Sequence, residues 1–225
     1  MKNKSINVFF FGDSICFGQG VSIHKGWVTR ISRDLEEIAF KSGLDITVIN
    51  SGVNGNTTRL ALERMPYDVQ SHRPDILVVQ FGMNDCNYWN TDGGVPRVSA
   101  NAFEANLMEI AARARKFGAQ KIFFNTNHPT TRTDTIFDGT DITYEQSNAL
   151  YNNLIRKVVS NLGDVVGLHD VESEFNQAIN THNLELSTAL QADRLHLSEV
   201  GHSIYYSLIN ESIKRSVSEL MGIAE

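Results

Sequence analysis

The sequence predicts an α/β fold in which a parallel sheet is covered by helices on both faces. Short runs of β-branched and aromatic residues recur at 6–11, 46–49, 76–80, 122–124 and 165–168. Stretches with the apolar spacing of helices separate them. The runs are nearly all apolar rather than alternating, as strands buried on both faces are.

Each element has its own signal. The run at 6–11 follows Lys2 and Lys4 and so superficially resembles a secretory leader. It is shorter than a leader's apolar region and lacks a small-residue cleavage site, so it reads as the first strand. Trp27, Ile31, Leu35 and Ile38 form one helical stripe, and Phe103, Leu107, Ile110, Ala114 and Phe117 a second. Tyr151, Leu154, Val158 and Leu162 form a third, and Val200, Ile204 and Leu208 begin the last helix. Residues 171–179 suggest a further helix, and 57–71 a weaker one interrupted at Pro66. There is no internal repeat, no Pro/Gly-rich linker and no shift in composition. A single domain over residues 1–225 is expected.

Composition narrows the function. Twenty Lys and Arg against 26 Asp and Glu give a formal net charge of −6, with no basic stripe to follow a phosphate backbone. No nucleic-acid partner is expected. About eighteen apolar residues in a row would be needed to span a membrane, and no such run is present. The two cysteines, Cys16 and Cys86, are too few for a disulfide framework. Free thiols and a cytoplasmic location are the expectation.

In open parallel sheets, ligands bind beyond the carboxyl ends of the strands. The segments there are Gly12-Asp13-Ser14, "NSGVNGNTT" at 50–58, "FGMNDC" at 81–86, "TNHPTTRTD" at 126–134 and "QADRLHLSEVGH" at 191–202. A dinucleotide fingerprint fails, because Gly18 and Gly20 come late and residue 23 is Ile. A P-loop lysine is absent. His196 and His202 are six apart and would sit on different helix faces, so no metal site is expected.

Acyl transfer fits better. It needs a hydroxyl, a base, a group to orient the base, and donors for an oxyanion. Asp193 and His196 are three residues apart, so one turn can set the carboxylate against the imidazole and leave the other ring nitrogen for Ser14. Alone, Ser14 reads as a helix N-cap and Asp-x-x-His as coincidence. Together with two donor loops at the same sheet end, they read as a site. At roughly 3.3 Å per extended residue, the chain from Asp170 can return across the sheet to deliver them.

These blocks resemble the SGNH (GDSL-type) hydrolase family of lipases and esterases over essentially the whole chain. Gly12-Asp13-Ser14 matches its first block, residues 50–57 the second, Gly82-x-Asn84-Asp85 the third and Asp193-x-x-His196 the fifth. The resemblance implies a flavodoxin-like, three-layer α/β/α fold with a five-stranded sheet in order 2-1-3-4-5. It also implies a catalytic triad of Ser14, Asp193 and His196, with an oxyanion hole from Ser14, Gly55 and Asn84. A small-molecule ester would be the substrate, with no cofactor. The family often has Gly after the Asp and Pro after the His, where this chain has Arg194 and Leu197.

Around the site, Gly12 is expected to permit a sharp turn, and Asp13 and Asp85 to hold loops through backbone amides. Tyr88, Trp89 and His128 are candidates for substrate contact, against the plainer readings of loop anchors and an ordinary loop histidine. His169 and His202 read as structural, and Cys16 and Cys86 as inert thiols that lie near each other at most. The long loops at 86–97 and 127–142 are polar and hold no helical lid, which favours short acyl groups such as acetyl. A lysophospholipase-like or lipase-like hydrolase of longer acyl esters, an acyltransferase using the same triad, and a non-catalytic binding module are the alternatives.

Overall fold

The computed structural model describes residues 5–222, so Lys2 and Lys4 of the basic start lie outside the described residues. Strands β1 (Ser5–Gly12), β2 (Asp45–Gly52), β3 (Ile76–Gln80), β4 (Lys121–Asn125) and β5 (Val166–His169) form a parallel sheet. Their order is 2-1-3-4-5, as the family resemblance implies. The seven α-helices among the described residues are α1 (Ser14–Phe17), α2 (Trp27–Ser42), α3 (Thr58–Asp68), α4 (Ala100–Lys116), α5 (Tyr144–Leu162), α6 (Val171–Thr181) and α7 (Glu199–Met221). Helix α7 packs on α2 and α6, while α4 packs between α3 and α5. The sheet is thus the middle of three layers.

β1 is the reason the layers close. Val8, Phe9, Phe10 and Phe11 are all fully buried, and successive side chains leave a strand on opposite faces. Phe10 meets Trp27 of α2 edge-on at 5.3 Å, and Phe11 meets Phe81 edge-on at 5.2 Å. Trp27 in turn stacks on Tyr205 of α7 at 4.7 Å and donates its indole N–H to the Ile15 carbonyl at 2.8 Å. Burying such aromatic side chains stabilises by about 1.5–3 kcal/mol each. The same contacts therefore fix the floor beneath Ser14.

Four local expectations are corrected. β2 continues three residues past Ile49, because Asn50, Ser51 and Gly52 pair with the end of β1. Gly52 allows it: a Cβ there would stand 2.4 Å from the Phe17 nitrogen. Helix α3 runs through Pro66 instead of breaking there. The missing N–H frees only the carbonyl of Leu62, a half-buried residue, and Val69 N–H bonds Met65 to close the last turn. In α7 the buried line is Gly201, Tyr205, Ile209, Ile213 and Val217, whereas Val200 is exposed. Gly201 lies so close to the Ala189 carbonyl that no side chain fits there. Phe117 caps α4 and is exposed, because the stripe ends with the helix at Lys116.

His169 at the end of β5 is a structural group. Its ring stacks on Phe123 at 4.6 Å, with Nδ1 at 2.8 Å from Asn125 Oδ1 and Nε2 at 2.5 Å from Ser212 Oγ. Burial lowers its pKa from 6.5 to about 4, and burial lowers His128 and His202 to about 4 as well. The unfolded chain binds these protons first, so the stability they contribute is complete above pH 6.5 and is lost as pH falls towards 4. Replacing His169 with Gln is expected to flatten stability against pH in that window by up to one proton, about 1.4 kcal/mol per pH unit. Urea unfolding from pH 4 to 7 measures it. An unchanged slope would show that His169 is not held neutral.

Candidate active site

Ser14 opens α1 directly beyond the end of β1. Asp13 caps that helix, its Oδ1 accepting the Ile15 N–H at 2.9 Å. Gly12 serves here by space rather than by a left-handed turn, which corrects the sharp-turn expectation. Its φ is not positive, and a Cβ would stand 2.5 Å from Cys16 Cβ and 2.7 Å from the Gln80 carbonyl. The strand exit is therefore narrow, and Ser14 is nearly buried.

Asp193 and His196 come back to this point on a tight turn before α7. An antiparallel bridge joins Leu190 to Leu197, and Gln191 N–H bonds the His196 carbonyl at 2.7 Å. The Gln191 side chain donates to the carbonyls of Gln19 and Leu197, tying the turn to the segment after α1. Gly20 leaves room for this, since a Cβ there would meet Gln191 Oε1 at 2.2 Å. Arg194 adopts φ +67°, which explains why Gly suits this place. Its guanidinium compensates by bonding Thr131 and pairing with Asp134 at 3.0 Å.

The result is a continuous chain of hydrogen bonds. Asp193 Oδ2 lies 2.5 Å from His196 Nδ1, and His196 Nε2 lies 2.9 Å from Ser14 Oγ. Asp193 Oδ1 accepts the backbone N–H groups of Leu195 and His196, each at 3.0 Å. Burial opposes ionisation of Asp193, yet the hydrogen bonds from His196 and these two amides prevail and hold its carboxyl below the usual range. An ionised Asp193 fixes the proton on Nδ1 and leaves Nε2 as an acceptor.

Two loops supply donors opposite. Gly55, φ +76°, lies between β2 and α3, and Asn84 lies in the turn after β3. Neither the Ser14 nor the Gly55 amide donates to a protein acceptor among the described residues. Asn84 is held at both ends: Oδ1 accepts from Arg97 at 3.2 Å, and Nδ2 donates to Asp13 Oδ2 at 3.4 Å. Arg97 also donates to the Gly55 carbonyl at 3.2 Å, and Arg64 bonds both the Gly12 carbonyl and Asn56 Oδ1. Asp85 accepts the Thr58 N–H at 2.9 Å and the Thr58 hydroxyl at 2.5 Å, joining the two donor loops. Burial pushes the carboxyls of Asp13 and Asp85 up to about 7 and about 6. Both acids serve as loop ties.

Ser14, His196, Gly55 and Asn84 line one cavity of about 240 Å³, together with Gln19, Met83, Asn87, Arg132, Tyr144 and Leu195. The three candidates for substrate contact are elsewhere. His128 is fully buried, and its Nε2 lies 2.8 Å from the Leu195 carbonyl, so it supports the turn from behind. Tyr88 packs against Phe137 at 4.6 Å. Trp89 lines a neighbouring cavity of about 620 Å³, with the Arg97 guanidinium 4.5 Å from its ring centre. Arg97 lines that larger cavity and bonds Asn84 and Gly55, which line the Ser14 cavity. Sequence reasoning passed over Arg97, Arg132 and Tyr144. Their positions after β3 and β4 were the available signal. Cys16 and Cys86 are buried free thiols whose sulfurs face Asn50 Oδ1 and the Met83 carbonyl, and burial pushes both thiols up.

The chain has likenesses among known families, proteins and structures. Residues 10–204 match the model of the GDSL-like lipase/acylhydrolase family. The chain belongs to that family. It is 28% identical over 125 residues to an arylesterase of Vibrio mimicus, covering 56% of each chain. It is 27% identical over 118 residues to esterase TesA of Pseudomonas aeruginosa, covering 52% of this chain and 53% of that one. The match spans about half the length of these curated relatives. Among solved structures, an acetylxylan esterase from Geobacillus stearothermophilus superposes with a TM-score of 0.72 at 22% identity, covering 95% and 96% of the two chains. A lipase/acylhydrolase from Enterococcus faecalis gives 0.71 at 24% identity, covering 93% and 96%. These two likenesses show the fold. No helix among the described residues is long and apolar enough to cross a membrane.

Gly55 offers a clean test of backbone geometry, because a Cβ there would meet nothing within 4 Å. Gly55→Ala is expected to cost about 1–2 kcal/mol through its left-handed φ alone. Denaturant unfolding measures this, and a neutral result would mean the loop adopts another conformation in solution.

Proposed function

We propose that the chain is a serine esterase that hydrolyses short-acyl carboxylic esters of small molecules. The observation that carries this reading is the hydrogen-bonded line from Asp193 through His196 to Ser14, in one cavity with Gly55 and Asn84. Ser14 Oγ attacks the ester carbonyl carbon while His196 Nε2 takes its proton. The carbonyl oxygen, now negative, is received by the amides of Ser14 and Gly55 and by Asn84 Nδ2. When the tetrahedral adduct collapses, the C–O bond to the alcohol breaks and His196 returns the proton to the leaving oxygen. Water then attacks the acyl-Ser14 ester by the same route, releasing the acid and restoring the serine.

The family and the names of the relatives, an arylesterase and an acetylxylan esterase, support ester chemistry and an acetyl-type acyl group. The cavity supports the same size class, since about 240 Å³ lies below the usual range of drug-sized pockets. Residues 1–225 act as one hydrolase domain in this reading. A cytoplasmic setting is proposed from the two unpaired, buried thiols.

Four measurements test the proposal. An organophosphonate ester is expected to add to Ser14 in intact-mass analysis and to leave the S14A variant unlabelled. On an aryl acetate, S14A and H196A are each expected to lose most of kcat/KM, and the double variant to be little worse, because the pair works as one unit. Additive losses would separate them. Asn84→Ala is expected to lower kcat by about 10²–10³ with KM little changed, as a donor used in the transition state does. Across p-nitrophenyl esters, kcat/KM is expected to peak between two and four acyl carbons. A steady rise past C8, at about 0.8 kcal/mol per buried methylene, would reveal a long acyl groove and favour the lipase-like reading.

A further inference from the structure

The charge inside the Ser14 cavity runs against that of the molecule. The chain carries a net charge of −6, yet among the described residues Arg132 is the one Arg, Lys, Asp or Glu lining this cavity. Arg132 is half-buried and has no carboxylate partner among the described residues. Its Nε donates to the Asp193 carbonyl at 3.0 Å, and its guanidinium carbon lies 5.2 Å from the centre of the Tyr144 ring. Those contacts hold the guanidinium plane while leaving its two terminal nitrogens without an acceptor among the described residues.

The carboxylates nearby are already committed. Arg132 also lines an adjoining cavity of about 300 Å³ that includes Asp134, Asp193 and Arg194. Asp134 is paired with Arg194 at 3.0 Å, and Asp193 spends its oxygens on His196 and on two backbone amides. An open arginine fork, desolvated on one side and held by an aromatic ring, is suited to a carboxylate or phosphate.

Its place in the site says which part of the ester carries that anion. His196 must hand its proton to the departing alcohol, so residues on the His196 side of Ser14 face the alcohol portion. Arg132 is bonded to the Asp193 carbonyl of that same turn, whereas Gly55 and Asn84 form the opposite, oxyanion side. We propose that Arg132 is a specificity-determining residue that binds an anionic group, carboxylate or phosphate, on the alcohol portion of the substrate. This inference rests on the esterase reading above.

The test compares phenyl acetate, 4-acetoxybenzoate, 4-acetoxyphenyl phosphate and phenyl hemisuccinate on the wild-type chain and on Arg132→Gln and Arg132→Lys. Because Arg132 also holds the Asp193 carbonyl, the variants are expected to slow on every ester, so the readout is the ratio between esters. In R132Q, kcat/KM on the two esters with an anionic alcohol is expected to fall at least tenfold further than on phenyl acetate. R132K is expected to recover part of that difference. A larger ratio for the benzoate identifies a carboxylate as the natural group, and a larger one for the phosphate ester a phosphate. An equal fall on all four esters overturns the proposal and leaves Arg132 a support of the turn. A selective fall on the hemisuccinate overturns its assignment to the alcohol side. If Ser14 takes no phosphonate and no ester is cleaved, the esterase reading fails. Calorimetry of 4-hydroxybenzoate and 4-hydroxyphenyl phosphate with wild type and R132Q then decides the anion site, with no Arg132-dependent binding overturning it.

Discussion

One hydrogen bond, from His196 Nε2 to Ser14 Oγ, joins residues 182 positions apart, and much of the upper surface of the sheet is arranged to make it. A contact of about 2.9 Å between two short side chains tolerates little movement on either side. Ser14 is held by its narrow strand exit and by the Asp13 cap. His196 is held by a turn with its own backbone bridge, by Gln191 reaching the segment after α1, and by His128 beneath the Leu195 carbonyl. The supports come from the ends of β1 and β4 and from the segment before α7, so the site depends on the sheet bringing those segments together.

Buried polarity is concentrated in the same region. Asp13, Asp85, Asn127, His128 and Asn148 are wholly buried, a placement that costs free energy unless each finds partners. Part of that cost is met by loop backbone: Asp13 and Asp85 accept N–H groups, while Asn148 and Asn152 donate to the carbonyls of His128 and Asn127. Such a network fixes loops that contain little regular structure. The donor loops can therefore be set in advance of substrate, which is the condition for oxyanion stabilisation without reorganisation.

Arginines do the comparable work nearer the surface. Arg64 spans the end of β1 and the Gly55 loop, stacked over Phe11 at 4.5 Å. Arg97 spans Gly55 and Asn84, stacked over Trp89. Arg132 spans the Asp193 turn and Tyr144. The planar guanidinium suits this repeated use, because it can donate in its plane and stack on its face at once. The site is ringed by cations on a chain whose overall charge is negative.

The sequence by itself determined the sheet, its order through the family resemblance, and the residues of the Asp193–His196–Ser14 line. Those features follow from local patterns: apolar runs, helical spacing and short blocks at strand ends. The end of β2 and the buried face of α7 were decided by neighbours in space, namely β1 and the Ala189 carbonyl. The tertiary structure likewise removed Tyr88, Trp89 and His128 from the Ser14 cavity and brought Arg132 into it. Side-chain direction in loops carries no periodicity that a sequence can display. It is set by which ring, carbonyl or carboxylate from a distant segment lies within reach, and only the folded sheet brings those segments together.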